Sequence, residues 1–103
     1  MSFGEEEMSD AEIISKLGSI VRSKKVLWIE GDYVRDGEMV HWECFIKLLG
    51  DTAAVGFDEY LEKYEDAVDL YDMYVRNKLP DIESALRFVL DSFPLAAEKM
   101  RRT

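Results

Sequence analysis

Residues 25–49, KVLWIEGDYVRDGEMVHWECFIKLL, decide the fold. Two runs rich in β-branched and aromatic residues, 25–34 and 38–49, flank Asp36-Gly37, a dipeptide that reaches positive φ easily and so closes a two-residue hairpin turn. With Asp36 and Gly37 in the turn, Arg35 faces Glu38. Pairing then runs back through Tyr33–Val40, Asp32–His41, Gly31–Trp42, Glu30–Glu43, Ile29–Cys44 and Trp28–Phe45. That register sorts the side chains. Leu27, Ile29, Tyr33, Val40, Trp42, Cys44, Ile46 and Leu48 share one apolar face, which suits a cover of helices. The other face is mixed, with Glu30, Asp32, His41 and Glu43 at its centre and Trp28, Val34, Met39 and Phe45 around them.

Outward from the hairpin, Ser9-Asp10-Ala11-Glu12 has the form of a capping box, with Met8 placed to staple onto Ile13. A helix is expected from Ser9 to about Lys25, with Ile13, Ile14, Leu17, Ile20 and Val21 on one stripe and a basic end that suits the helix dipole. After Gly50-Asp51, the run Thr52–Phe57 reads as a short third strand whose Ala53, Val55 and Phe57 extend the apolar face. From Asp58 to about Arg76, Tyr60, Leu61, Tyr64, Val68, Tyr71 and Val75 recur at helical period, so a second helix is expected there, ending near Asn77. Asp81 opens another, with Ile82, Ala85, Leu86, Val89, Leu90 and Phe93 inward, and Pro94 breaks it before a short last helix.

These elements predict an α+β fold: an N-terminal helix, a three-stranded antiparallel sheet, then two or three C-terminal helices packed on one sheet face. Residues 1–8 read as an acidic tail and residues 9–103 as a single domain, since 103 residues close one core and not two. The lone Cys44 cannot form an internal disulfide and the N-terminus has no basic-then-apolar leader, which predicts a reducing, cytoplasmic setting. No apolar run approaches the roughly 18 residues that span a bilayer. No Cys or His pairs stand at zinc-ligand spacing, and there is no phosphate loop, nucleophile elbow or His-Glu-x-x-His, so neither a cofactor nor a membrane partner is expected.

The net charge of -9 is unevenly spread. Residues 1–12 carry -5, residues 13–57 balance, residues 58–72 carry -6 and residues 73–103 carry +2. In the expected second helix, Glu62, Glu65, Asp66, Asp69 and Asp72 oppose the tyrosine stripe, although like charges at this spacing each cost a helix roughly 0.2–0.5 kcal/mol. Such a face suits a basic partner protein. It does not suit nucleic acid directly, because the tyrosines lack the basic stripe that backbone binding needs.

The sequence thus leads to a non-enzymatic interaction module of accessory, adaptor or inhibitor type, which binds a basic partner or forms a homodimer. Its contact residues would be Glu62, Glu65, Asp66, Asp69, Asp72, Trp28, Met39, Phe45 and Phe88. One alternative is a mimic of nucleic-acid charge, or an immunity-like inhibitor. Another is a small metal-dependent or acid–base enzyme built on Glu30, Asp32, His41 and Glu43, where Asp32 opposite His41 raises the imidazole pKa.

Overall fold

The structure, a computed structural model, describes residues 9–102; the acidic tail and the Met8 staple lie outside them. The described residues form three α-helices and one four-stranded antiparallel sheet, so the class is α+β. Helix α1 (Asp10–Lys24) begins at the Ser9 capping box, in which the Glu12 amide donates to the Ser9 hydroxyl and the Ser9 amide to the Glu12 carboxylate. Strand β1 (Val26–Arg35) turns through Asp36 and Gly37, at φ 53° and 79°, into β2 (Glu38–Leu49). Their register runs from Val26↔Lys47 to Arg35↔Glu38 and contains every pair expected from the turn.

The region after Phe57 departs from the expectation. Strand β3 continues from Thr52 to Leu61, two short 3-10 turns follow at Glu62–Tyr64 and Val68–Leu70, and β4 spans Met73–Leu79. The expected helix from Asp58 to Arg76 is therefore absent, and the sheet has a fourth strand, in the order β1-β2-β3-β4.

The long β2 explains the change. Its residues back to Val40 present backbone groups that residues 58–61 satisfy by staying extended, with Val40↔Leu61 and Glu43↔Asp58 in register. Asp58 caps no helix: it is buried and takes both nitrogens of Arg76, on β4, at 2.7 and 3.1 Å. Asn77, expected to end a helix, lies within β4 and pairs with Val55. The tyrosine stripe dissolves as well, because Tyr60 is buried on β3, Tyr71 stacks on it at 4.2 Å from the connecting loop, and Tyr74 stands exposed on β4.

Helix α2 (Ile82–Ser92) starts at Asp81, whose side chain accepts from the Ser84 amide; Pro94 opens α3 (Pro94–Arg101). All three helices lie on the sheet face predicted to be apolar. There Trp42, Cys44, Ile46, Val55 and Phe57 meet Ile13, Leu17, Leu86, Val89, Ala96 and Met100, with Leu27, Ile29 and Leu48 at the margin. No helix among the described residues is long and apolar enough to cross a membrane.

Candidate functional site

Since the helices share one face, the opposite face of the sheet carries no helix among the described residues; the loop after β3 covers it only at Tyr60, on which Tyr71 stacks. Side chains on it form rows across the strands: Asp32, His41 and Tyr60; then Glu30, Glu43, Asp58 and Tyr74; then Trp28, Phe45, Gly56 and Arg76; then Val26, Lys47, Ala54 and Lys78. Val34 and Met39 close the end nearest the hairpin turn.

The aromatic row is built around Gly56. A Cβ at that position would lie 2.1 Å from the Phe45 Cζ, so the ring can cross β3 only because the residue beneath it has no side chain. Trp28 stacks on Phe45 with centroids 5.2 Å apart and planes 10° from parallel. The Arg76 guanidinium sits 5.0 Å from the same ring and 4.1 Å from Tyr74, held by Asp58, and Lys47 approaches Phe45 at 5.0 Å. The result is a stacked shelf whose outer member, Trp28, is 46% exposed. Its indole N–H donates to Glu30 at 3.1 Å.

Beside the shelf, the rows gather acids around the single histidine. His41 Nδ1 lies 2.6 Å from Asp32, and Nε2 lies 3.3 Å from Glu43 and 3.4 Å from Glu30. Glu30 faces Glu43 across the ladder, a like-charge pair that protonation of the imidazole between them offsets. Burial works against charge on the ring, but the hydrogen bond and charge of Asp32, followed by those of Glu43, outweigh it and hold the pKa above its usual value of 6.5. Glu62 and Glu65 overhang the cluster from the 3-10 turn, and with Tyr60 they close a concavity of about 320 Å³.

The ligand atoms of Glu30, His41 and Glu43 lie within 4.8 Å of one another, a spacing that can also accept a divalent cation, with Asp32 orienting the ring from behind. Cys44 takes no part. It is buried on the helix side, where loss of solvation first and the charge of Asp58 second push its thiol up to about 12.

Several residues singled out in the sequence converge here. Trp28, Glu30, Asp32, His41, Glu43 and Phe45 share the open face, Met39 lies at its edge, and Glu62 and Glu65 reach it from the loop. The remainder do not join them. Asp72 pairs with Arg35 at 2.5 Å, Asp66 and Asp69 are exposed elsewhere on the loop, and Phe88 packs edge-on against Phe93 among the helices, 5.6 Å away. Tyr74, Arg76 and Lys78 enter the face only because β4 exists. No family model, curated protein or solved structure matches the chain.

Proposed function

We propose that the protein is a non-enzymatic interaction module whose open sheet face is its binding surface, and whose partner protein brings basic groups to the carboxylates around His41. One observation carries this reading. The helices cover one side of the sheet, while on the other Trp28 and Phe45 form an ordered aromatic shelf directly beside Glu30, Asp32, Glu43, Glu62 and Glu65. Aromatic side chains are enriched at the centres of protein interfaces, and a polar rim sets encounter rate and partner choice. The acidic groups serve from strands and a loop rather than from a helix, so their role no longer depends on a helical stripe.

Peptides selected from a random display library against the immobilised protein test the proposal. Enrichment of Lys and Arg next to an apolar residue is expected, with binding weakened by salt and by Trp28→Ala. Selected peptides that bind Trp28→Ala as well as the parent would overturn it.

A second reading rests on the convergence of Glu30, His41 and Glu43. In it the same three groups hold a divalent ion for metal-dependent or acid–base chemistry. Calorimetric titration with Mg²⁺, Ca²⁺, Mn²⁺ and Zn²⁺ decides it: heat lost in His41→Gln supports the site, and no heat removes it.

A further inference from the structure

The open face is divided along the strands. At the end nearest the hairpin turn it carries Glu30, Asp32 and Glu43, overhung by Glu62 and Glu65. The cations nearest that end are held on the other side of the sheet, Lys63 by Glu38 at 2.6 Å and Arg35 by Asp72. At the other end the row Val26, Lys47, Ala54 and Lys78 has two lysines and no acid, and Arg76 stands one row inward. The aromatic shelf lies between these halves.

We infer that the partner this face fits is a second copy of the chain, packed sheet against sheet about a two-fold axis that runs across the strands through the middle of the face. This rests on the reading of the open face as the binding surface and names its occupant. Two sheets meeting face to face pack about 10 Å apart with their strands roughly 30° from alignment, which leaves two ways to place the axis. An axis along the strands lays carboxylates on carboxylates and lysines on lysines. An axis across them reverses the second copy end for end, so Lys47 and Lys78 of each copy lie over the acidic half of the other, and the two Trp28–Phe45 shelves meet near the centre. Charge therefore selects one orientation out of two.

The area agrees with a reversible dimer. Strands about 4.8 Å apart, with two ladders of roughly 33 Å and a third of roughly 23 Å, give a footprint of at most roughly 600 Å² per copy, reduced at the end where Tyr71 covers Tyr60. Doubled, that is at most about 1,200 Å², in the range of transient interfaces.

A charge-exchange experiment tests the orientation. Sedimentation and light scattering of the wild-type chain are expected to show the mass rising with concentration from 11.9 kDa toward twice that value. Lys47→Glu with Lys78→Glu, and separately Glu62→Lys with Glu65→Lys, change exposed side chains, so both variants should keep the circular dichroism and melting temperature of the parent. Each alone should associate at least about tenfold more weakly, since like charges then face each other. An equimolar mixture should recover the parental affinity as a heterodimer, because every acidic half again meets a cationic one. The inference is overturned by a wild-type mass that stays at 11.9 kDa up to millimolar concentration, by a variant that dimerises undiminished, or by a mixture that fails to associate. If the wild type stays monomeric while selected peptides still require Trp28, the occupant is wrong and the binding surface stands. Peptides indifferent to Trp28 remove the surface itself.

Discussion

The two faces of the sheet use one construction to different ends. On the helix side, Trp42 lies across Gly31, its cross-strand neighbour, where an added Cβ would come within 2.7 Å of Nε1. On the open side, Phe45 lies across Gly56 in the same manner. Trp42 then disappears beneath the helices, 5% exposed, while Phe45 carries Trp28 out into solvent. A buried ring over a glycine is accounted for by the core it fills. A stacked pair of rings outside the core is not, and it is the feature on which the proposed binding surface rests.

That contrast is most sharply broken or upheld by removing one indole from each face. Trp42→Ala leaves a cavity among Phe57 and the helices and should cost about 3–5 kcal/mol in urea unfolding. Trp28→Ala loses mainly its stacking on Phe45, and should cost roughly 1 kcal/mol while abolishing association. Equal losses of stability would mean that the open face is part of the core.

The glycines give the next largest difference. Gly31→Ala drives a methyl into a ring that the helices hold down, for an expected cost of roughly 1–3 kcal/mol. Gly56→Ala meets an even closer contact, but Phe45 can swing outward. Stability should change by less than about 1 kcal/mol, since alanine also suits a strand better than glycine. The displaced ring should nevertheless disrupt the shelf, visible as a loss of Trp28–Phe45 contacts in nuclear Overhauser spectra. A large melting shift in Gly56→Ala would contradict this picture of the face.

The smallest effect concerns pH. His41 is surrounded by Glu30 and Asp32 from β1, Glu43 from β2, Tyr60 from β3, and Glu62 and Glu65 from the loop. Its pKa is raised on folding, so the stability it contributes is fully present below the unfolded value and fades as pH rises through the folded one. Unfolding free energy should therefore decline on the alkaline side of the usual histidine range, and the decline should vanish in His41→Gln. A His41 titration by NMR at or below 6.5 would contradict the geometry.

Much of this was legible in the chain itself, for reasons that differ by element. Asp36-Gly37 located the turn, and once a turn is placed the two-residue period of a strand assigns every side chain to a face, so the Asp32–His41 and Trp28–Phe45 pairs could be read in advance. Ser9, Asp81 and Pro94 marked helix ends by local chemistry. The stretch 58–76 imitates a helix because Tyr60, Tyr64, Tyr71 and Val75 fall at helical spacing by coincidence, while its strands are stabilised by partners on β2 and within the sheet that no local window contains. Two signals pointed the other way: the repeated like-charge pairs, unfavourable on a helix, and the abundance of tyrosine and valine, which favour strands. Without β4, the lysine end of the open face and the Asp58–Arg76 pair were invisible, and so was the division of charge that suggests a second copy.

The claim that this face is occupied in solution is tested most directly at the Trp28 indole proton. Its relaxation by a soluble paramagnetic agent should be strong in dilute protein and fall as concentration rises, while surface amides on α1 and α2, such as that of Glu83, stay accessible throughout. Trp28 equally accessible at every concentration, or protection that falls on the helices instead, would contradict it.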